Sequence, residues 1–393
     1  MVEASVIALS GPNSFEGLNQ EAGLFPAIYD INSHGGVLGK KVVWKGVDTR
    51  SDPADALPAV QQMLSTVHSL IGVTGPGTTS APTIVPVLNA AKVTMFAVAG
   101  ESNYDRSPYP YFWRLFPPDA ANGTAMALWA RHLGYTRIAT VFGTDSGSQG
   151  DLPGVLLGAK GLHLKVVASL NLTPDQPSYS SDAERLLQAH PQIIMTESDG
   201  PTAATFYGEL KQLKGLVPIV GTEPTVNSTW IGPVSGALGN SDFQKYYTGM
   251  VTAASKSTPA LTQFTRDITA VRSSIPKPLS AYSTNPFVRT YYDGMITEAL
   301  AIEAAHSVKP SVFNKYISEV ANPGAGKKVV YTFAQGVAAL KAGKKIEYVG
   351  ATGLIQFDKY HNSFGNEEAV RVPSSGQPVE LGIITTKQIE SVG

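Results

Sequence analysis

The side chains that most often carry enzyme chemistry form no recognisable constellation in this sequence. The chain contains seven histidines, at positions 34, 68, 132, 163, 190, 306 and 361. No two of them stand four residues apart, so no His-Glu-x-x-His metal site exists. The absence of cysteine excludes disulfides, cysteine nucleophiles and thiolate zinc sites. No G-x-G-x-x-G loop follows the first predicted strand. We therefore expect no catalytic residue, no metal and no cofactor.

Two short stretches are similar to catalytic or phosphate-binding loops but lack essential residues. Ser146–Gly150 (SGSQG) places glycine on the wrong side of the serine for a nucleophile elbow. The loop Gly75–Ser80 (GPGTTS) lacks the lysine of a P-loop, and Pro76 removes one amide donor. Two interpretations of this loop stay open. It is either a simple turn or a helix N-terminus whose hydroxyl and N–H groups bind an anionic group such as a carboxylate.

Length and composition limit the class of protein. A chain of 393 residues suits two domains, each of about 150–200 residues. The formal net charge of −1 gives no basic excess for binding nucleic acid. No run of apolar residues is long enough to span a membrane, and no secretory signal precedes the first predicted strand. The chain is therefore either cytoplasmic or a mature form without its export segment.

Short apolar runs alternate with helical patterns, which predicts βαβ units and largely parallel sheets. The predicted strands of a first series are 4–9, 41–47, 69–73 and 93–98, and its helices are 16–31, 53–66 and 81–91. Prolines exclude a helix from the aromatic stretch 109–119 that follows. A second series has predicted strands at 137–142, 164–169, 192–196 and 217–220, with helices at 120–133, 152–160, 181–189 and 202–213.

The rest of the chain is too short for a third domain. It contains predicted helices at 259–273, 287–305 and 311–320, and a late strand–turn segment at 353–358. The predicted fold class is α/β, with two flavodoxin-like lobes that are each a doubly wound, mostly parallel sheet. We assign residues 1–116 plus 254–351 to lobe 1 and residues 117–253 plus 352–393 to lobe 2. About three crossings would then form a hinge, with a ligand cleft between the lobes.

Several turn segments occur in an order that carries a family resemblance. They include INSHGGVLG at 31–39, DTRSDP at 48–53, YFWR at 111–114, PFV at 286–288 and GLIQFD at 353–358. Together they resemble the type I periplasmic binding-protein family, specifically its branched-chain amino acid branch. The resemblance implies an extracytoplasmic, monomeric solute-binding protein that closes on a small ligand and is recognised by a membrane ABC permease. We interpret Asp52 as a helix cap and Arg114 as a packed or paired arginine.

The resemblance also implies ligand positions on loops at the carboxyl ends of the strands. The positions that match are Glu16, Thr78, Thr79, Ser80, Ala99, Glu101, Gln149, Asp199, Glu223 and Phe287. Glu223 matches the family acid that holds the ligand ammonium group. Glu101 stands where the family usually offers a hydroxyl. Glu16 stands where the family has an aromatic side chain. Gln149 and Asp199 lie near two further aromatic positions of the family, and neither is aromatic. Phe287 is either an apolar ligand contact or part of the core.

These departures favour a particular ligand. Unpaired buried carboxylates repel one another and require a cationic or multiply donating partner. The hypothesis is therefore an amino acid or related ligand with an amine and further donors, rather than leucine itself. Three other functions stay open: a ligand-sensing domain of a receptor or regulator, an α/β enzyme, and a structural or adhesive role. Fold resemblance does not decide between transport and sensing.

Overall fold

Contacts between Cα atoms divide the chain into two units. The computed structural model describes residues 1–11, 14–145, 147–253, 257–373 and 378–392, so Ser146 of the SGSQG stretch lies outside the described residues. Unit 1 comprises residues 1–117 and 254–364, and unit 2 comprises residues 118–253 and 365–393. The sequence assigned 352–364 to the second lobe, whereas this segment groups with unit 1. The difference has a local cause, because Asn362 accepts a hydrogen bond from the buried Arg114 of unit 1.

The strands and helices alternate through most of both units. In chain order the strands are β1 Val2–Ile7, β2 Val43–Asp48, β3 Leu70–Thr74, β4 Met95–Ala97, β5 Phe112–Arg114, β6 Arg137–Gly143, β7 Lys165–Leu172, β8 Ile193–Glu197, β9 Ile219–Gly221, β10 Tyr247–Thr252, β11 Lys328–Val330, β12 Ile346–Tyr348, β13 Glu367–Arg371 and β14 Val379–Ile384. The helices are α1 Ser14–Ser33, α2 Pro53–Thr66, α3 Ala81–Ala90, α4 Asp119–His132, α5 Leu152–Gly161, α6 Ser180–Ala189, α7 Gly200–Gln212, α8 Ser228–Leu238, α9 Asn240–Tyr246, α10 Pro259–Ala270, α11 Ser280–Ser283, α12 Pro286–Ala305, α13 Pro310–Phe313, α14 Tyr316–Ala321, α15 Phe333–Lys341 and α16 Thr386–Glu390.

The main sheet of unit 1 is parallel, with the strand order β2-β1-β3-β4-β5. The four strands predicted before residue 115 are confirmed, and β5 lies in the aromatic stretch that the prolines keep out of a helix. Because β2 and β3 lie on opposite sides of β1, the strand order reverses between β1 and β3. Ligands of open α/β sheets bind at such switch points, outside the carboxyl ends of the strands.

Local sequence signals set the helix ends of unit 1. Asp52 accepts a hydrogen bond from the Ala54 N–H at 2.8 Å, so it caps α2 as predicted, with Pro53 in the first helical position. Asn285 caps α12 in the same way. Nearly every residue of α12 from Val288 to Glu303 is buried, because this helix packs between the sheet and α1 in the largest hydrophobic core.

A pair of acids lies inside unit 1, away from its strand ends. Glu3 of β1 and Glu298 of α12 are both 0% exposed, and their carboxyl groups interact directly. Glu3 also accepts from the Thr74 hydroxyl at 2.8 Å. Two ionised carboxylates are both acceptors, so this contact requires a proton on one of them. Burial raises the pKa of Glu3 to about 7 and that of Glu298 well above its ordinary value.

The sheet of unit 2 has the strand order β14-β13-β10-β9-β8-β6-β7. Its first five strands along the chain are parallel, and β13 and β14 add an antiparallel edge. The predicted late strand at 353–358 is wrong, because this segment forms only isolated bridges at Leu354 and Phe357. The sequence also missed β13 and β14. The strand order reverses between β6 and β8, so this unit has its own switch point.

No helix in the described part of the chain combines the length and apolar character that crossing a membrane requires.

Candidate functional site

The strand ends of unit 1 bring several of the predicted site residues together. One recess is lined by Ala8, Glu16, Thr49, Ser51, Asp52, Gly77, Thr79 and Ser80. It therefore lies at the carboxyl ends of β1, β2 and β3, next to the switch point. Thr78 is half-buried in the same loop, whereas Ala99 and Glu101 follow β4. Ala99 is fully buried and has no polar side-chain atom to offer.

Glu16 dominates the electrostatics of this recess. Burial, and secondarily the charge of Glu101, raise the pKa of Glu16 to about 7. The carboxylate lies against the β3–α3 loop, since a Cβ on Gly77 would stand 2.7 Å from its Oε2. A larger residue at position 77 would therefore displace the Glu16 carboxylate. The first turn of α1 thus places an acid against the loop Gly75–Ser80, which the sequence left open as a simple turn or an anion-binding helix N-terminus.

The amide groups where the β3–α3 loop enters α3 are already engaged. The N–H groups of Ser80 and Ala81 donate to the Gly77 carbonyl at 3.2 and 3.0 Å, and the Thr83 N–H donates to the Ser80 carbonyl. Pro82 has no N–H. With Glu16 close by as well, this loop favours a hydrogen-bond donor or a cation over an anion.

Arg114 holds the loop after β4. Its guanidinium is fully buried and donates to the Gly100 carbonyl at 2.8 Å, to Asp105 at 2.9 Å and to Asn362 at 2.9 Å. The prediction of a packed and paired arginine is confirmed. Next to it, Glu101 has a buried Oε2 without a hydrogen-bond partner. Burial raises the pKa of Glu101, and the positive charge of Arg114 offsets part of that rise.

Two further features of unit 1 lie near its strand ends. Phe287, in the first turn of α12, stacks on Phe116 with ring centroids 4.5 Å apart. Both rings are half-exposed, so the pair forms an apolar surface rather than core. Gln20, one turn after Glu16 on α1, is fully buried beside Gly75, and neither of its polar side-chain atoms meets a hydrogen-bond partner. The sequence analysis did not identify Phe116 or Gln20 as site residues.

Two predicted residues of unit 2 have their polar groups occupied by the fold. Asp199 is exposed and accepts from the Thr202 N–H at 2.9 Å, so it caps α7. The side-chain amide of Gln149 donates to the carbonyl of Gly143, the last residue of β6. Both residues lie on loops at the carboxyl ends of parallel strands, as predicted.

An acid pair that the sequence analysis missed lies at the switch point of unit 2. Glu197 ends β8, and Asp151 immediately precedes α5; they are 7% and 6% exposed and hydrogen-bond to each other. The Thr222 hydroxyl donates to Glu197 at 2.6 Å. Burial raises the pKa of Glu197 to about 7, while burial and the neighbouring charge of Glu197 raise that of Asp151 well above its ordinary value. The pair therefore holds a proton near neutral pH.

Glu223 lies beside this pair, in the 3₁₀ turn Glu223–Val226 that follows β9. It is 8% exposed and accepts from the N–H and hydroxyl of Thr252 at 3.3 and 3.1 Å. Burial, and to a smaller extent the charge of Asp119, raise its pKa to about 7. Asp119 also raises the pKa of Asp151 and Glu197, so one acidic surface spans the ends of β8 and β9 and the start of α4.

The ion pairs and metal-ligating groups of the described residues give no partner for the negative charge of Glu197, Asp151 and Glu223. The ion pairs of the described residues include His34–Asp30, Arg50–Asp55, Arg114–Asp105, Arg185–Asp182 and Lys211–Asp242, and none of these involves Glu197, Asp151 or Glu223. Nor do three His, Asp or Glu side chains in the described ranges converge as a metal site would require. The arrangement is suited to a group that brings its own positive charge and several N–H donors.

One signal in the sequence could have identified the missed acids. Glu197 ends an otherwise apolar strand, Ile193–Thr196, at the position where α/β proteins place functional side chains. Glu367 has no such signal, because it belongs to a strand that the sequence did not predict. Asp119 and Asp151 stand beside helix N-termini and have the pattern of ordinary helix-start residues.

The chain is similar to known proteins along most of its length. Residues 4–311 match the profile of a family described as periplasmic binding protein. A leucine binding protein from Thermotoga maritima shares 18% identity, with 98% of this chain and 99% of that one covered and a TM-score of 0.75. A branched-chain amino acid transporter substrate binding protein from Streptococcus pneumoniae, in complex with isoleucine, shares 14% identity over 98% and 99%, with a TM-score of 0.72.

A solute binding protein of an ABC transporter from R. palustris, in complex with benzoate, shares 14% identity over 98% of this chain and 96% of that one, with a TM-score of 0.70. At such identities the likeness establishes the fold, and it confirms the predicted α/β architecture. Comparison with curated protein sequences gave no match. Since the profile covers residues 4–311, well over half of the 393 residues, the chain belongs to the periplasmic binding protein family.

Proposed function

We propose that this chain is the solute-binding protein of an ABC importer and binds an amino acid or a related small, polar, amine-containing ligand. Membership of the periplasmic binding protein family supports solute binding. The observation that carries the ligand class is the buried, acidic environment of Glu223, which no cation of the described residues neutralises. An ammonium group supplies both the charge and the N–H donors that this environment lacks.

The chemistry of unit 1 is compatible with the same ligand. Glu16 and Glu101 offer carboxylate oxygens, and Thr78, Thr79 and Ser80 offer hydroxyl groups. We propose that these groups bind the polar end of the ligand, that the buried Ala99 shapes their surroundings, and that Phe287 with Phe116 provides an apolar contact. In unit 2, Gln149 and Asp199 would border the ligand without bonding to it directly, because the fold already occupies their polar groups.

The proposed function requires no chemical change of the ligand. Membership of the periplasmic binding protein family supports binding without turnover. We propose that both units contribute to binding, and that the ligand shifts the protein towards a closed state that the permease recognises. The same role implies an extracytoplasmic location and a monomer.

The structural relatives include a leucine binding protein and complexes with isoleucine, benzoate and leucine. Such ligands have one charged or zwitterionic end and an apolar body. Here Glu16 stands where the family resemblance implies an aromatic side chain, and Gln149 and Asp199 stand near two other such positions. The proposal therefore favours ligands with additional donors, such as basic or hydroxylated amino acids and short polyamines.

Native mass spectrometry of freshly purified protein tests this proposal, followed by calorimetric titration with a panel of amino acids and polyamines. We expect one small amine-containing solute per chain, and tight binding of polar amines over leucine. An E319Q variant, which changes an exposed glutamate of α14, should bind like the parent. Tight binding of leucine with none of the polar amines would overturn the ligand class, and turnover of the bound solute would overturn the proposal of a binding protein.

A further inference from the structure

Glu367 is a buried acid next to Glu223 that the proposed function leaves unexplained. It begins β13, is 0% exposed, and pairs with Thr252 of β10 in the antiparallel register. Asn122 of α4 donates from its amide nitrogen to Glu367 Oε2 at 2.8 Å and to the Met250 carbonyl at 3.2 Å. The two remaining oxygens, Glu367 Oε1 and Asn122 Oδ1, are buried and have no hydrogen-bond partner.

Thr252 stands between Glu367 and Glu223. Its hydroxyl donates to Glu223 at 3.1 Å, and Thr252 is the residue opposite Glu367 in the antiparallel register. A hydroxyl has one proton to donate. Because that proton points to Glu223, the donor that Glu367 keeps is the amide of Asn122. These contacts suit an ionised Glu223 next to a Glu367 that keeps its own proton.

The groups around Glu367 are consistent with this assignment. From the 3₁₀ turn after β9 the facing charge is Glu223, and from the start of α4 it is Asp119, with Asp151 near them before α5. On β14 the residue opposite Glu367 is the uncharged Ile384. Burial, and then the charge of Glu223, raise the pKa of Glu367 well above its ordinary value. None of the ion pairs His34–Asp30, Arg50–Asp55, Arg114–Asp105, Arg185–Asp182 and Lys211–Asp242 involves Glu223, Glu367 or Asp151.

The geometry points to Glu367 as a second acid of the amine site, which is protonated when the site is empty and ionised when an ammonium group binds beside Glu223. This inference rests on the proposed amine ligand. The arriving ammonium group brings three N–H donors for oxygens that have no partner, and a positive charge that favours two carboxylates over one. The displaced proton passes to solvent, so the binding of each amine releases one proton.

Calorimetric titration at a series of pH values above about 7 separates Glu367 from Glu223, because Glu223, with a pKa of about 7, is then increasingly ionised before binding. Putrescine, L-lysine and L-leucine serve as probes, in phosphate and in HEPES buffer. The dependence of the heat on the buffer gives the number of protons released. We expect about one proton per bound amine in the parent and almost none in E367Q. The variant E368Q is the matched control, since neighbouring residues of a strand face opposite sides of the sheet.

Glutamine keeps the shape of a neutral glutamic acid, so E367Q should fold, and circular dichroism checks this. A measurement on the unmutated chain gives an independent test. The infrared difference spectrum between putrescine-bound and free protein should lose the C=O band of a protonated carboxyl group. Equal proton release by E367Q and the parent, or none by the parent, would overturn the role of Glu367 and leave the proposed function intact. Failure of every amine to bind would overturn both.

Discussion

Replacing Glu298 with glutamine removes one member of the buried pair Glu3–Glu298 and should change how the stability of the protein depends on pH. In the folded protein Glu298 keeps its proton well above the ordinary value of 4.5, whereas in the unfolded chain it loses that proton near 4.5. Between these limits the folded state binds one more proton at this site than the unfolded state. The contribution of Glu298 to stability is therefore complete below pH 4.5 and is lost progressively as the pH rises.

The expected magnitude follows from this proton count. One proton corresponds to about 1.4 kcal/mol per pH unit in the free energy of unfolding. Glu3, with a pKa of about 7 in the folded state, adds its own loss between 4.5 and 7. The E298Q variant lacks one of these groups, so its stability should fall less steeply by about 1.4 kcal/mol per pH unit. From pH 4.5 to 7 the gap should accumulate to about 3 kcal/mol in favour of the variant.

Urea denaturation followed by circular dichroism at a series of pH values between these limits measures the effect. The variant E319Q, altered at an exposed glutamate of α14 in the same unit, should follow the parent at every pH. Parallel stability curves for the parent and E298Q would refute the protonated pair. An E298Q protein that is less stable than the parent at neutral pH would refute it equally, because the burial of a shared proton would then not be the source of the pH dependence.

Three further predictions concern other parts of the molecule. R114A should lower the stability of unit 1 by about 3–5 kcal/mol, because it leaves Asp105 and Asn362 without their buried partner. Urea denaturation measures this loss, with R106A, at the exposed Arg106, as the control. G23A should destabilise the protein, because its Cβ would stand 2.4 Å from the Val288 carbonyl oxygen. G232A in α8 meets nothing within 4 Å and should stabilise the protein by about 1 kcal/mol. Thermal unfolding compares the two variants. As the pH falls below about 7, Glu223 takes up a proton in addition to the one that Glu367 already carries, so amine binding should weaken by about a further tenfold per pH unit. An amine affinity that falls no more steeply below about pH 7 than above it would argue against Glu223 as the ionised acceptor.

Much of the fold could be predicted from local sequence patterns such as helix caps and apolar periodicity. Asp52-Pro53 marks the start of α2 because an N-cap and a proline at the first helical position act within a few residues. The alternation of apolar runs and helical patterns is also local, and it predicts the parallel strands of both sheets. The antiparallel edge β13–β14 was missed, since Glu367 and Glu368 open β13 with two charged residues where a strand pattern calls for apolar ones.

The site was less predictable than the fold, because its electrostatics depend on burial and on distant residues. Glu223 and Glu16 could be identified from their positions after strands. Asp151 and Glu197 hold a proton between them only because the fold brings them into contact. They are 46 positions apart in the sequence, so no local pattern indicates this contact. Asp199 shows the opposite case, since its place on a strand-end loop indicates a ligand contact while its side chain caps α7.

The measurement that tests the central proposal most directly is a calorimetric titration of each amine beside the same molecule without its amino group. L-leucine is paired with 4-methylpentanoate, and putrescine with 1,4-butanediol, in which hydroxyl groups replace both amino groups, on the parent and on E223Q. We predict that polar amines bind the parent, that loss of the amino group abolishes binding, and that E223Q weakens amine binding by about 100-fold. An amine-free counterpart that binds as tightly as its amine, or an E223Q protein with unchanged affinity, would contradict the account.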